Sequence, residues 1–202
     1  MDEGVARIEA ADRPAAIATV VDAFAADPVE RWLWPADGEY ARHFPVFAEA
    51  FGGRAFEGGT AWQIEGLAGV ALWLGPGVEA DEEAVGAALL GSVAEPRHEE
   101  LLAILAQMTE AHPTAPHWYL PWLAVGPARQ GDGLGGRLLA ATLATVDEDR
   151  LPAFLETPNP RTVGFYERHG FEVVAVTSSP SCPPLTSMLR PVLGRARAGV
   201  HA

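Results

Sequence analysis

The residues able to do chemistry fall in a few short stretches. They are the glycines of GDGLGG at 131–136, Asn159 between two prolines, Tyr166 within GFYERHGF, and the acids and tryptophans of DPVERWLWP. The glycines follow an apolar run, HWYLPWLAV, and open a helical pattern in which Leu134, Leu138, Leu139, Ala141, Thr142 and Val146 recur on one face. The first amides of a helix lack intrahelical acceptors and sit at the positive end of its dipole, so a phosphate there satisfies both. Gly131, Gly133 and Gly135 allow close approach of backbone to ligand and positive φ. Asn159 can donate and accept, or can act as a plain N-cap with Pro160 at the first helical position.

Two ligand classes fit the glycine loop. GDGLGG satisfies GxGxxG, and Glu156 lies about 20 residues on, where a dinucleotide fold keeps its ribose-binding acid. In that fold, however, the first glycine follows its strand at once and several βα units come after it. Here GPARQ intervenes between Val125 and Gly131, and too little chain remains. The other register is QxxGxG, on Gln130, Gly133 and Gly135.

In that register the loop resembles motif A of the GCN5-related N-acetyltransferase (GNAT) superfamily, and NPRTVGFYERHGF at 159–171 resembles its motif B. Together these blocks span residues 118–174. WYLPWLAV, LPAFLETPNPRTVGFYERHGFEV and LTSMLRP look further like the branch that contains puromycin N-acetyltransferase, while the N-terminal half matches only in layout. The resemblance implies an α/β fold with a mixed, mostly antiparallel, splayed central sheet flanked by helices. It implies acetyl-CoA as co-substrate, held by the backbone of Leu123, Ala124 and Val125, by Gln130, Gly131, Asp132, Gly133, Leu134, Gly135 and Gly136, and by Asn159. Tyr166 would be aimed at the thioester sulfur as general acid: a phenol near ~10 can donate to a leaving thiolate whose thiol titrates near ~8.5. The other reading of Tyr166 is a core tyrosine with a satisfied hydroxyl.

In the family the region between the first two helices covers the acceptor amine, which makes Glu30, Trp32 and Trp34 the substrate-binding candidates. The general base stays open among Glu30, His43, Glu65, His117 and Tyr119, with Glu156 structural or water-positioning. No Ser/His/Asp or Cys nucleophile pattern is present, which predicts direct attack on the thioester. The expected activity is acetyl-CoA-dependent transfer to a primary amine of a small molecule. Protein or peptide N-acetylation and a non-catalytic acyl-CoA-binding module are the alternatives.

The elements that must position these residues follow from periodicity. A strand is expected at 6–10, and a helix capped by Asp12 with Pro14 in its first turn runs to about Ala26. Residues 27–40 read as irregular, and a helix at 40–51 is interrupted or started late by Pro45. A hairpin at 60–66 and 68–76 and helices at 81–93 and 98–111 come next. The strand at 118–125 is apolar on both faces, and Pro121 within it has no amide to give, which predicts a bulge or pairing gap. A strand at 153–157, a helix at 161–169 stopped by Gly170, strands at 171–177 and 185–189, and a frayed tail complete the chain. Trp62, Trp73 and Trp118 fall on strands and are expected in the core.

Composition bounds the rest. At 202 residues and 49% apolar content the chain should form one domain with a single core. A net charge of −13, with arginine supplying every basic side chain, argues against a nucleic-acid partner and suits a cationic acceptor. No apolar run approaches the ~18 residues of a membrane span, and the acidic MDEGVARIEA is unlike a signal peptide. Cys182 is the lone cysteine, and no Cys/His cluster has metal-ligand spacing. A cytoplasmic monomer or homodimer without metal is therefore expected.

Overall fold

From the N-terminus, residues 4–192, those described by the computed structural model, run β1 (Val5–Arg7), α1 (Arg13–Phe24), α2 (Pro28–Leu33), α3 (Asp37–Gly52), α4 (Arg54–Glu57), β2 (Ala61–Ile64) and β3 (Gly69–Leu74). They continue through α5 (Glu82–Leu90), α6 (His98–Ala111), β4 (Trp118–Val125), α7 (Leu134–Glu148), β5 (Ala153–Thr157), α8 (Pro160–Glu167), β6 (Glu172–Thr177) and β7 (Leu185–Arg190). The strands form one open sheet in the order β1-β2-β3-β4-β5-β7-β6. Every neighbouring pair is antiparallel except β4 and β5, which run parallel. This is the mixed, mostly antiparallel, splayed sheet expected from the motifs.

Pro121 shapes the middle of that sheet. Leu72 pairs with Trp122 and Leu74 with Tyr119, so one step on β3 spans an extra residue on β4, and the bulge falls at Leu120–Pro121. An extra residue reverses the in-out alternation of a strand. Tyr119 on one side of the bulge and Trp122 and Ala124 on the other consequently share a face, packed with α1 and α3. Trp118, Leu120 and Leu123 pack on the opposite face, under α7. On its other edge β4 pairs with β5 only at Trp118↔Ala153 and Tyr119↔Phe154, after which the two strands part. β5 stays fully paired to β7 throughout.

Two apolar layers enclose the sheet. One gathers Phe44, Phe47, Trp34 and Trp122 beneath α1, α3 and α5; the other gathers Trp73, Trp118, Leu138 and Leu139 beneath α7. Trp62, Trp73 and Trp118 all lie in the second, as expected of tryptophans on strands.

Several local expectations need correction. The first strand is shorter than 6–10, because a tight turn at Ala10–Asp12 follows it, and Asp12 makes no side-chain cap to α1. Residues 27–40 are not irregular throughout. Asp27 caps α2 by accepting from the amides of Val29 and Glu30 at 2.9 and 3.3 Å, with Pro28 in the first turn. α3 starts at Asp37 and runs through Pro45. A proline inside a helix forfeits one backbone hydrogen bond, and burial of Tyr40, Phe44, Phe47 and Ala48 outweighs it here. α5 ends at Leu90 and not 93. Residues 193–202, most of the expected frayed tail, lie outside the described residues.

Candidate active site

Where β4 and β5 part, a cavity of about 540 Å³ opens between them and extends under α2 toward α5 and α6. Its lining includes Leu123, Ala124, Val125 and Gln130 at one end, Tyr119, Glu156, Asn159 and Tyr166 at the split, and Asp27, Glu30 and Trp32 at the other end. Sequence reasoning assigned most of these residues to two sites, a carrier site and an acceptor site, and the fold puts them on one continuous wall.

The carrier end is built from backbone. Beyond Tyr119, β4 has no partner on its β5 side. Gln130 donates from Nε2 to the Val125 carbonyl at 3.1 Å and so ties the loop to the strand end. Gly131 and Gly133 have φ of 91° and 80°. A Cβ at either would meet nothing within 4 Å, so backbone conformation and not crowding calls for glycine there. Gly133 is the N-cap of α7, and no side chain caps that helix, which leaves its first amides directed outward for a ligand. Leu134 turns its side chain into the core at 2% exposure. At Gly135 and Gly136 the first turn lies beside Phe165 of α8, where an added Cβ would make only ordinary van der Waals contact. Asp132 turns to Arg129 at 2.8 Å, and Arg129 and Arg137 both grip Glu65 at 2.8 Å. An uncapped 15-residue helix behind two left-handed glycines and an unpaired strand edge fits a pyrophosphate-bearing, amide-rich carrier such as acetyl-CoA.

At the split, α8 is fixed to the end of β5. Asn159 Oδ1 accepts from the Arg161 amide at 3.0 Å, and Thr162 Oγ1 donates to the Asn159 carbonyl at 2.8 Å. Asn159 therefore does cap a helix, with Pro160 first in it. Tyr166 follows on α8, edge-on to Phe165 and Phe171 at ring separations of 5.0 and 5.8 Å. Burial alone acts on its phenol, pushing it above the ordinary tyrosine range, with no hydrogen bond contributing.

Opposite, Glu156 accepts from the Tyr119 hydroxyl at 2.8 Å through Oε2, while its buried Oε1 has no partner. Burial raises its pKa to about 7, against the opposing pull of the Tyr119 hydrogen bond. Sequence reasoning gave this carboxyl a structural or water-positioning part, and spacing alone did not show that one of its oxygens is left without a partner on the cavity wall. The signal was present in AFLET: in a strand alternating under a sheet, Glu156 must share the face of Phe154, and a carboxyl on an otherwise apolar face asks for an explanation.

The acceptor end divides the remaining candidates. Glu30 is only 5% exposed, lines the cavity and leaves Oε2 unpartnered. Burial, then the charge of Asp27, pushes its carboxyl well above the usual range, and Asp27 itself rises to about 6 through burial. Trp32 lines the cavity and donates to Ser181 Oγ at 2.9 Å. Trp34 does not line it. It is 1% exposed, donates to Ser92 Oγ at 2.9 Å and packs on Phe44 and Phe47, because the turn out of α2 points it into the core. Among the open base candidates, His43 lies beside Trp34, His117 pairs with His112 at 2.9 Å, and Glu65 is held by two arginines; all three are outside the cavity lining. Among the described residues no group of three or more His, Cys, Asp or Glu side chains could hold a metal, and no helix is long and apolar enough to cross a membrane.

Comparison with known proteins bears on this geometry. The family model described as Acetyltransferase (GNAT) family matches residues 29–171. An uncharacterized N-acetyltransferase of Schizosaccharomyces pombe is 28% identical over 208 residues, covering 91% of this chain and 81% of that protein. Among solved structures, histone acetyltransferase HPA2 and related acetyltransferase from Corynebacterium glutamicum superposes with a TM-score of 0.66 at 24% identity, covering 96% of this chain and 98% of that one. Arylalkylamine N-acetyltransferase 2 from Aedes aegypti superposes at 0.63 with 11% identity, covering 93% and 98%. At such identities the two structures speak for the fold alone, and their names span protein and small-molecule acceptors. The family match covers the β4–β5 split, the glycine-opened helix and most of the cavity lining, and on that ground the chain belongs to the acetyltransferase (GNAT) family and is an acyltransferase.

Proposed function

We propose that this enzyme transfers an acetyl group from acetyl-CoA directly to the primary amine of a small molecule, with Glu156 taking the proton from the incoming ammonium and Tyr166 donating at the departing sulfur. The observation that carries this reading is the cavity at the β4–β5 split, where a carboxyl with one unpartnered buried oxygen and the Tyr166 phenol line the same space. The reading takes the chain as one catalytic domain working as a monomer or homodimer.

Bound acetyl-CoA supplies the thioester whose acyl carbon the amine attacks. The unpaired edge of Leu123, Ala124 and Val125 offers its backbone to the pantetheine amides. The amides of the loop from Gly131 to Gly136 take the pyrophosphate, Gln130 holds that loop to the strand, and Asn159 presents its side-chain amide to the carrier arm. Glu156, poised near neutral pH, is ionised often enough to accept a proton and basic enough to keep it. Tyr166 holds its proton at Oη throughout the neutral range. Burial that lifts the phenol lifts the departing thiol as well, so the two remain matched. Cys182, also on the cavity wall, is pushed to about 11 by burial and by Glu100 and Glu30. A thiol at that pKa is a poor nucleophile at neutral pH, which favours direct transfer over an acyl-enzyme.

A small acceptor is favoured over a peptide because the cavity is roofed. Glu100 on α6 accepts from Ser179 Oγ at 2.7 Å and from the Ser181 amide and hydroxyl at 3.0 and 2.9 Å. Trp32 joins the same Ser181 from α2. The β6–β7 connection is thereby strapped across the acceptor end, where a peptide would need an open groove. The likeness to the puromycin N-acetyltransferase branch points the same way. The test is release of free thiol from acetyl-CoA with a panel of small amines and of short peptides. Release with small amines is expected; release with peptides alone would overturn the assignment.

A further inference from the structure

The carboxyl at the acceptor end has no part in the proton transfers above, yet it is the most deeply buried acid described in the chain. Glu30 makes no hydrogen bond through its side chain. The one charge acting on it is Asp27, of the same sign. The same cavity wall carries the apolar side chains of Phe24, Leu33, Val85, Leu101 and Leu105. An acid held this way is costly to ionise and repays burial only when a cation comes to it. It reaches the cavity from a different element than Glu156: Glu30 from α2, Glu156 from β5.

Resting on the acetyl-transfer reading, we infer that the acceptor is a diamine with an apolar spacer, one amino group presented to Glu156 for acetylation and the second, as ammonium, held by the unpartnered Glu30 at the far end of the same cavity. The apolar walls between the two stations take the spacer. The arriving ammonium turns Glu30 into its ionised form, the proton passing to solvent, and Asp27 adds a second negative charge beside it. The overall charge of −13 attracts a dication more strongly than a monocation.

Straight-chain diamines, among them hexamethylenediamine, are to be compared with monoamines of the same carbon count, hexylamine for that member. Two readouts apply: thiol release, and thermal protection in the presence of CoA. For the best-matched length the diamine should show a kcat/KM about tenfold higher, equivalent to about 1.4 kcal/mol, well beyond what two equivalent amino groups give by statistics. The difference should lie in KM, and only the diamine should protect against heat. In Glu30→Gln, an isosteric change at a group with no hydrogen bond to lose, the diamine-to-monoamine ratio should fall toward one. Turnover of both amines with no preference, or a preference that survives Glu30→Gln, sinks the diamine site and leaves acetyl transfer standing. Diamine protection that Glu30→Gln abolishes, without thiol release from any amine, keeps the site and sinks the transfer reading. Neither protection nor release sinks both.

Discussion

Replacing Glu156 by glutamine should make this enzyme both slower and more stable, and the two effects have one cause. The carboxyl titrates at about 7 in the fold, against an ordinary value of 4.5. Its folded pKa is raised, so between these values the folded state binds more protons than the unfolded state, and stability falls as pH rises. The loss starts near pH 4.5 and is complete somewhat above pH 7. A gap of about 2.5, at about 1.36 kcal/mol per unit, makes the full loss about 3 kcal/mol. Glutamine cannot ionise, and it keeps an oxygen to accept from Tyr119. Its amide leaves one polar group unpartnered, as the neutral acid does, so that cost cancels. Glu156→Gln should therefore match the wild type near pH 4.5 and exceed it by up to about 3 kcal/mol at pH 8, a rise of roughly 6–12 °C in Tm for a chain of this size.

Activity should move the other way. In the wild type, kcat/KM should rise with pH through a midpoint near 7 as Glu156 ionises. The variant should lose that limb and run about 10²- to 10⁴-fold slower, the range associated with a positioned general base. Thermal unfolding across pH 4.5–8 and thiol release over the same range measure both quantities on one preparation. Wild-type turnover with the same pH limb in Glu156→Gln would refute the catalytic assignment. A variant equally stable at every pH would refute the reasoning from burial.

Three further outcomes follow from the same geometry. Tyr166→Phe, which removes an unpartnered hydroxyl from an otherwise aromatic contact, should keep the fold and CoA affinity while lowering kcat by about 10²-fold or more, read in single-turnover thiol release. Gly133→Ala, at φ 80°, should cost about 1–2 kcal/mol in thermal unfolding and weaken CoA binding in titration calorimetry, although the added methyl meets no atom. Asn159→Ala should lose about 1 kcal/mol with its cap, while Asn159→Asp keeps the capping oxygen and the stability but loses donor affinity, a split that separates cap from ligand contact.

The parts legible from sequence were those governed by local rules. A proline in a buried strand has no amide to donate, so the bulge at Leu120–Pro121 could be foreseen, and the glycine loop, the Asn159 cap and the Gly170 stop follow from conformational preference. What failed depended on tertiary direction. Trp32 and Trp34 are two residues apart and alike in type. Whether a side chain at the end of a six-residue helix faces cavity or core is decided by how that helix docks, and spacing does not encode this. α2 itself was overlooked because aromatic and acidic residues obscured a simple signal, Asp27 followed by Pro28. The general base stays open in the sequence for a related reason. Glu156 draws its altered pKa from its surroundings, and those come from β4, β5 and α8 together.

Buried charge elsewhere in the chain supplies the contrast that gives the cavity acids their meaning. Arg190 is as buried as the cavity acids, at 8% exposure, but it is fully partnered: its guanidinium forks onto both oxygens of Asp147, one at 3.0 Å, and donates to the His169 carbonyl at 3.0 Å. That is the arrangement expected of an ion kept for structure. Glu30 and Glu156 each retain an oxygen with no partner, and both face the same cavity. If these acids served the fold, selection for stability would have partnered them or replaced them with apolar side chains of similar size, since each lowers stability at neutral pH. Their shared feature is access to whatever enters the cavity. On the proposed reading an ammonium substrate would meet both conditions, supplying the missing partner at Glu30 and the transferable proton at Glu156.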